Sequence, residues 1–163
     1  MVPIRRLDED DWRLLRDVRL RALLDAPEAF ASAHADEAAM TAAQWTARLR
    51  GGAWFVAWPE GAAEPCGLVG ALPDGREWFA VAMWVAPGRR GSGLAGELIA
   101  AVVRGARRAG TSVVALQVNE HNSRARRLYE KLGFRPTGQI ETLPREDGYT
   151  RERMSLALAH RAD

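Results

Sequence analysis

The chain has 163 residues, 47% of them hydrophobic and 27% charged, with a net charge of +2, which is typical of one folded domain and argues against disorder. One cysteine excludes a disulfide framework or a multi-cysteine zinc site, the three histidines are too widely spaced for a local metal motif, and no apolar run approaches the roughly 18 residues that span a bilayer. We therefore expect a single domain over residues 1–163, cytoplasmic, without a signal peptide, a membrane segment or a bound metal.

The first third of the chain predicts a short strand followed by helices. Asp8 is placed to cap the first helix because acidic residues follow it in the first turn, and Pro27 ends that helical region. Thr41 is placed to cap a later helical piece, which Gly51 and Gly52 end. The predicted elements are a strand at 2–7, a helix from 8 to about 24, and two helical pieces within 29–50.

From residue 53 onward the hydrophobic pattern alternates between strand and helix periods. Asp74 and Gly75 predict a tight turn between two strands, and Gly110 ends a helix with a long apolar face. The predicted strands lie at 53–58, 66–72, 77–86, 111–118, from 134 onward and at 150–158, with helices at 94–110 and 123–132. This order predicts an α/β (α+β) domain with a mixed, mostly antiparallel central sheet and helices on both faces.

A glycine-rich loop, residues 87–93, separates a predicted strand from a predicted helix. Its glycines permit positive φ angles and close approach of a ligand to the backbone, and the N–H groups of the following helix point at the same place. The spacing matches neither the dinucleotide fingerprint nor the nucleotide P-loop. We therefore predict a phosphate-binding loop, the alternative being a plain strand-to-helix connection.

A second motif begins at Asn122. Either Asn122 or Ser123 can cap the helix, Gly133 can end it, and Tyr129 lies on its apolar face. Taken alone, Tyr129 is interpreted as a core residue.

Together these two segments resemble the signature of the GNAT superfamily of N-acetyltransferases. Gly91 and Gly93 match the small positions of Gln/Arg-x-x-Gly-x-Gly/Ala, whereas Gly88 departs from the Gln or Arg that is usual there. Residues 122–134 match the block Asn-x-x-Ala-x-x-x-Tyr-x-x-x-Gly-Phe at every specified position. The resemblance covers about residues 80–136.

This resemblance implies transfer of an acetyl group from acetyl-CoA to a primary amine of a small molecule or peptide by direct attack. Backbone N–H groups near Trp84 and Val85 would then hold the acyl carbonyl, and Asn122 would contact the CoA arm. Tyr129 would be the general acid, since a phenol with a pKa of about 10 stays protonated at neutral pH. The implied CoA-binding residues are Trp84, Val85, Arg89, Arg90, Gly91, Ser92, Gly93, Leu94, Ala95, Asn122 and Arg127.

The general base stays open between Glu77 acting through water, His121 and ordered water alone. Ribosomal-protein alanine acetyltransferases, a similar branch, carry Glu where this chain has Gln117, and a glutamine cannot accept the proton as a carboxylate does. For the acceptor the resemblance implies an N-terminal segment in which acidic residues, Glu37 among them, could hold a cationic amine. The predicted acceptor-binding residues are Glu28, Phe30 and Tyr149.

Two other functions compete with an acetyltransferase. Residues 88–135 carry ten basic and three acidic side chains, a segment charge of +7 against −5 for the remainder, which suits a polyanion. A nucleic-acid-binding module would use this charge, but the sequence has no aromatic stacking surface or binding motif to go with it. A non-catalytic acyl-CoA sensor is the other alternative. We expect neither nucleic acid nor membrane as a partner, and leave a homodimer open.

Overall fold

The computed structural model describes residues 1–30, 32–142 and 149–159. The helices within these ranges are α1 (Trp12–Asp25), α2 (His34–Ala38), α3 (Ala42–Arg50), α4 (Leu94–Arg108) and α5 (Ser123–Lys131). The strands are β1 (Ile4–Arg6), β2 (Ala53–Ala57), β3 (Gly67–Asp74), β4 (Glu77–Val85), β5 (Val113–Asn119), β6 (Arg135–Thr142) and β7 (Thr150–Ala157). The strands are hydrogen-bonded in the order β1-β2-β3-β4-β5-β7-β6, and the predicted α+β class with a mixed, mostly antiparallel sheet is confirmed.

The chain forms two compact units. The first consists of Met1–Leu72 and Val81–Val102, and the second of Pro73–Ala80 and the described residues from Val103 onward. β4 and α4 contribute residues to both units, and a single domain over residues 1–163 stays a prediction. No helix in the described ranges has both the length and the apolar character needed to cross a membrane.

The first unit contains β1, β2 and β3 in antiparallel register, with Ile4 opposite Ala57 and Ala53 opposite Ala71. All five residues of β2 are buried, as expected for a strand covered on both faces. The apolar face of α1 packs in the same core. The core residues of this unit include Leu15, Val18, Trp45, Val56, Leu68 and Trp84.

In the second unit, Glu77–Phe79 of β4 pairs in parallel with Val113–Ala115 of β5. β5 then pairs antiparallel along its whole length with β7, which pairs in turn with β6. A register shift interrupts the last ladder between Pro136 and Ile140. The parallel ladder thus covers the first three residues of β4, and the strand continues beyond it into the first unit.

The predicted helix start at Thr41 is confirmed, whereas the α-helix predicted to start at Asp8 begins later, at Trp12. The Thr41 side chain accepts a hydrogen bond from the Gln44 amide, and the Gln44 side chain accepts one from the Thr41 amide. Asp8 and Asp11 form the same reciprocal arrangement, but around a 3-10 turn, Glu9–Asp11, after which α1 begins at Trp12. Local polar residues therefore determine where both helical segments begin.

Candidate functional site

The glycine-rich loop joins β4 to α4 within the first unit. Its start is anchored because the Ala86 amide donates to the Cys66 carbonyl at 2.8 Å, and Pro87–Arg89 then forms a 3-10 turn. Gly91 and Gly93 follow with φ of +80° and +86°, values that non-glycine residues rarely adopt. The sequence predicted that the loop would need this conformational freedom.

The loop leaves several backbone donors without a partner. Within the described residues, the amides of Gly91 and of residues 93–96 have no hydrogen-bond acceptor, whereas the Ser92 amide donates to Arg89 and the Glu97 amide to Gly93. Because α4 begins at Leu94, the unpartnered amides of its first turn lie at the positive end of the helix dipole. Such a group of donors is suited to bind the oxygens of a phosphate or diphosphate.

Unlike several backbone amides of the loop, the Arg90 side chain is hydrogen-bonded to protein groups. Arg90 donates through Nε to the Val85 carbonyl at 3.1 Å and through Nη2 to Asp25 at 2.5 Å. Asp25 also accepts the indole N–H of Trp84 at 2.9 Å. The Arg90 side chain, predicted to contact CoA, is therefore bound to protein groups at the end of β4, while the Arg89 side chain is exposed.

Sequence reasoning missed Asp25, although its position carries a signal. Asp25 is the last residue of α1, and a carboxylate at the C-terminal end of a helix opposes the helix dipole. Hydrogen bonds from Trp84 and Arg90 nevertheless hold the pKa of Asp25 below its ordinary value. An acidic residue placed where its own helix disfavours it indicates a partner elsewhere in the fold.

β4 carries a backbone irregularity that the sequence does not signal. Ala82 has a φ of +59°, a left-handed value that is uncommon for a residue with a side chain. A single residue of this kind interrupts the regular pleat of a strand and changes its direction, as a β-bulge does. Ala82 precedes Trp84 and Val85, the residues predicted to hold the acyl carbonyl.

The second motif lies in the second unit and forms the predicted helix, α5. The Asn122 side chain accepts a hydrogen bond from the Ala125 amide at 3.1 Å, so that Asn122, and not Ser123, is the cap. Gly133 ends the helical segment with φ of +98°, and the Phe134 amide donates back to the Tyr129 carbonyl at 3.0 Å. The cap uses the oxygen of the Asn122 amide group and leaves its nitrogen to donate elsewhere.

Tyr129 has a buried ring, 8% exposed, whose centroid lies 6.0 Å from that of Phe134. Its hydroxyl has no hydrogen-bond partner within the described residues, and the hydroxyl oxygen is not fully enclosed by protein atoms. Burial raises the pKa of the Tyr129 phenol above its ordinary value. The hydroxyl is therefore protonated at neutral pH.

The two side chains considered for the base, Glu77 and His121, and the nearby Gln117 each have a partner in the second unit. Glu77 forms a half-buried ion pair with Arg153. The Gln117 side chain donates to Glu141 at 2.9 Å, and His121 is exposed with its Nε2 3.2 Å from Glu120. A catalytic role for Glu77 or His121 stays a prediction.

The predicted acceptor residues lie at different places. Glu28 is exposed in the 3-10 turn after α1, and Phe30 is half-buried with the Arg19 guanidinium 4.7 Å from its ring centroid. Tyr149 is half-buried just before β7, in the second unit. The Gly/Asp-rich loop preceding Tyr149 lies outside the described residues. A cavity of about 300 Å³ in the first unit is lined by Leu23, Leu24, Pro27, Phe30, Ser32, Ala33 and His34.

Glu37, expected among the acidic residues for a cationic amine, is buried and fully paired. Arg19 donates to both of its carboxylate oxygens at 3.0 and 2.9 Å, and Arg48 donates to it at 2.6 Å. Burial by itself raises the pKa of Glu37, but the two arginines outweigh this effect and hold the pKa below its ordinary value. Glu37 therefore connects α1, α2 and α3, and its carboxylate is not available to an ammonium group.

Comparison with known proteins adds independent findings. Residues 9–134 match the model of the "Acetyltransferase (GNAT) family". No curated protein gives a significant match to the sequence.

Several solved structures have a similar fold. A GNAT-family acetyltransferase from Streptococcus pneumoniae aligns with a TM-score of 0.81 at 20% identity, over 98% of this chain and 100% of that one. The ribosomal-protein-S18-alanine N-acetyltransferase of Escherichia coli aligns with a TM-score of 0.74 at 19% identity, over 100% and 97%. A candidate acetyltransferase from Salmonella typhimurium, solved with its cofactor acetyl-CoA, aligns with a TM-score of 0.72 at 23% identity, over 100% and 97%.

Proposed function

The chain belongs to the acetyltransferase (GNAT) family, and from this premise we propose that it transfers the acetyl group of acetyl-CoA to a primary amine of a small molecule or peptide. Acetyl-CoA is the acyl donor expected of a member of this family. The observation that carries the proposal is the set of unpartnered amides at Gly91 and residues 93–96, which suits the diphosphate of CoA.

Donor binding is proposed to depend mainly on the backbone. The amides of residues 91 and 93–96 would hold the diphosphate, with Leu94 and Ala95 as the first residues of α4. Backbone N–H groups at Trp84 and Val85 would hold the acyl carbonyl, and the Asn122 side-chain nitrogen would donate to the CoA arm. The remaining proposed contacts come from side chains or backbone of Arg89, Arg90, Ser92 and Arg127, of which Arg89 and Arg127 are exposed.

Tyr129 is proposed as the general acid. When bound, acetyl-CoA supplies a thioester carbonyl that an uncharged amine attacks, so that a C–N bond forms and the C–S bond breaks. Tyr129 would donate its phenol proton to the departing sulfur, and burial supports this role only in keeping the phenol protonated at neutral pH. The backbone donors near Val85 would stabilise the oxyanion, a contribution of about 2.7–4 kcal/mol in comparable sites.

The proton released by the attacking amine requires an acceptor. Glu77, acting through water, is the proposed base, with His121 and ordered water as alternatives. Since Arg153 occupies the Glu77 carboxylate, a Glu77→Gln variant is paired with Arg153→Gln. If the base is Glu77, turnover falls in Glu77→Gln and its bell-shaped pH profile loses the acidic limb, whereas a purely structural ion pair affects both variants equally.

The acceptor is proposed to contact Glu28, Phe30 and Tyr149. Phe30 lines the cavity of about 300 Å³ in the first unit, a volume at the lower end of the range for small-molecule sites.

We propose that the protein acts in the cytoplasm without a nucleic-acid or membrane partner, and a homodimer is left open. The cations of the basic segment are in part already paired, Arg90 with Asp25 and Arg126 with Glu130 and Glu152.

The test combines CoA titration by calorimetry with a thiol-release assay over a panel of amines that includes amino acids, polyamines, antibiotics and N-terminal peptides. The proposal requires saturable CoA binding and amine-dependent release of thiol. Binding without turnover on every class of amine would support the sensor instead. Salt-sensitive binding to unrelated nucleic acid, with no response to CoA, would support the nucleic-acid-binding module.

A further inference from the structure

Two segments of the first unit, β4 and the glycine-rich loop, donate hydrogen bonds to the carboxylate of Asp25 at the end of α1. Its Oδ2 accepts the indole N–H of Trp84 at 2.9 Å and the Nη2 of Arg90 at 2.5 Å. Trp84 lies near the end of β4 and is 4% exposed, and Arg90 lies in the glycine-rich loop. One carboxylate on α1 therefore holds both the end of the strand and the loop that follows it.

The Trp84 ring also has a cationic side chain over it. The Arg21 guanidinium lies 5.0 Å from the ring centroid, and its Nη1 donates to the Pro65 carbonyl at 2.7 Å. Pro65 precedes Cys66, whose carbonyl accepts the Ala86 amide at the start of the loop. The loop entrance is thus connected twice to α1, through Arg21 and through Asp25.

The Arg90 side chain is bonded to protein groups and is therefore less available to a ligand. Its Nε donates to the Val85 carbonyl, and its Nη2 to Asp25, so the guanidinium bends back over the end of β4. The residue directly after it is Gly91, the first of the unpartnered amides. The side-chain bonds of Arg90 therefore restrain the backbone directly before the unpartnered amides of Gly91 and residues 93–96.

We propose that Asp25 is a positioning residue for the acyl donor, holding Trp84 and Arg90 so that the glycine-rich loop is ordered before CoA binds. The proposal rests on the function proposed above. A loop with two glycines at positive φ has many alternative conformations when free, and ordering it on binding would cost affinity. Fixing it in advance removes that cost. The lowered pKa of Asp25 is consistent with a carboxylate that is ionised throughout the neutral range.

The test uses Asp25→Asn, Arg90→Gln and the double variant, with Asp17→Asn as the matched control on the same helix. Asp17 is exposed and takes the same change of charge. Asparagine still accepts the Trp84 indole but loses its ion pair with Arg90. Calorimetry with CoA as the probe should show about a two- to fivefold weaker Kd in each single variant, as expected for an ion pair on the surface. The double variant should be no weaker than the weaker single variant, because both remove one interaction. In Asp25→Asn, which keeps an acceptor for the Trp84 indole, the KM for acetyl-CoA should rise while kcat at saturating acetyl-CoA is unchanged.

The results separate this inference from the proposed function. If wild type binds CoA and Asp25→Asn binds as tightly as Asp17→Asn, the positioning role is overturned and the acetyltransferase proposal stands. Fully additive losses in the double variant also overturn it. If Asp25→Asn does not fold, Arg90→Gln tests the same ion pair from a side chain that is 49% exposed. If wild type itself does not bind CoA, both proposals are overturned.

Discussion

Gly93→Ala is expected to weaken CoA binding without unfolding the protein. Gly93 has a φ of +86°, and a Cβ built there meets no atom within 4 Å. The substitution therefore creates no clash, and its whole effect comes from the left-handed backbone, which costs an L-residue about 1–2 kcal/mol. The loop can avoid this strain by rotating the backbone at residue 93, which displaces the amides of the first turn of α4.

The expected change follows from that strain energy. If binding must restore the native loop, CoA affinity falls about 5- to 30-fold, since 1.4 kcal/mol corresponds to a factor of ten. The free energy of unfolding should change much less, because alanine also lowers the entropy of the unfolded chain, a stabilising effect of about 0.4–1 kcal/mol. The assay is calorimetric titration with CoA, accompanied by thermal unfolding of the same samples.

Gly88→Ala is the matched control, five residues earlier in the same loop. Gly88 has no positive φ, and a Cβ there also meets nothing within 4 Å. The control should therefore bind CoA as wild type does. If Gly93→Ala and Gly88→Ala bind CoA equally well, the loop conformation does not support the diphosphate, and the donor site proposed here is wrong.

Three further outcomes are expected. Tyr129→Phe keeps the buried ring and should lower kcat about 100- to 10,000-fold with little change in CoA affinity; unchanged turnover would exclude Tyr129 as the acid. Glu37→Gln breaks a buried ion pair with Arg19 and should cost about 3–5 kcal/mol of unfolding free energy in chemical denaturation, whereas Asp36→Asn, an exposed neighbour, should cost almost nothing. The pKa of Glu37 is lower when folded, so its stabilisation is complete above its ordinary value of 4.5 and is lost as pH falls through the folded value. Wild type should therefore lose stability below pH 4.5 faster than Glu37→Gln does.

Much of the fold was predictable because its signals are local. Thr41 and Asn122 cap helices through amides three residues away, and Gly133 ends one with a positive φ. Such contacts depend on residues within a single turn, so the sequence order contains them. The 3-10 turn after Asp8 was not predicted, since three consecutive acidic residues favour a helix start without specifying its first turn.

The residues of the candidate site likewise fall into those that the sequence identifies and those that only distant contacts determine. The glycines at residues 91 and 93 and the motif around Tyr129 were recognisable from the sequence through their resemblance to the GNAT signature. The ion pair of Asp25 and Arg90 joins residues 65 positions apart, and that of Glu77 and Arg153 joins residues 76 apart. No local sequence pattern identifies the partners in these two ion pairs. Alanine also has no intrinsic preference for the positive φ that Ala82 adopts.

The sequence by itself therefore determined the succession of elements, the glycine-rich loop between β4 and α4 and the helix that carries Tyr129. These follow from hydrophobic period, capping and glycine, all of which act over a few residues. Only the tertiary structure decided that Arg90 binds Asp25, that Glu37 is enclosed between two arginines, and that Glu77 is held by Arg153. A charged side chain takes whichever opposite charge the packing of distant elements brings within reach, and that choice is made when the chain folds.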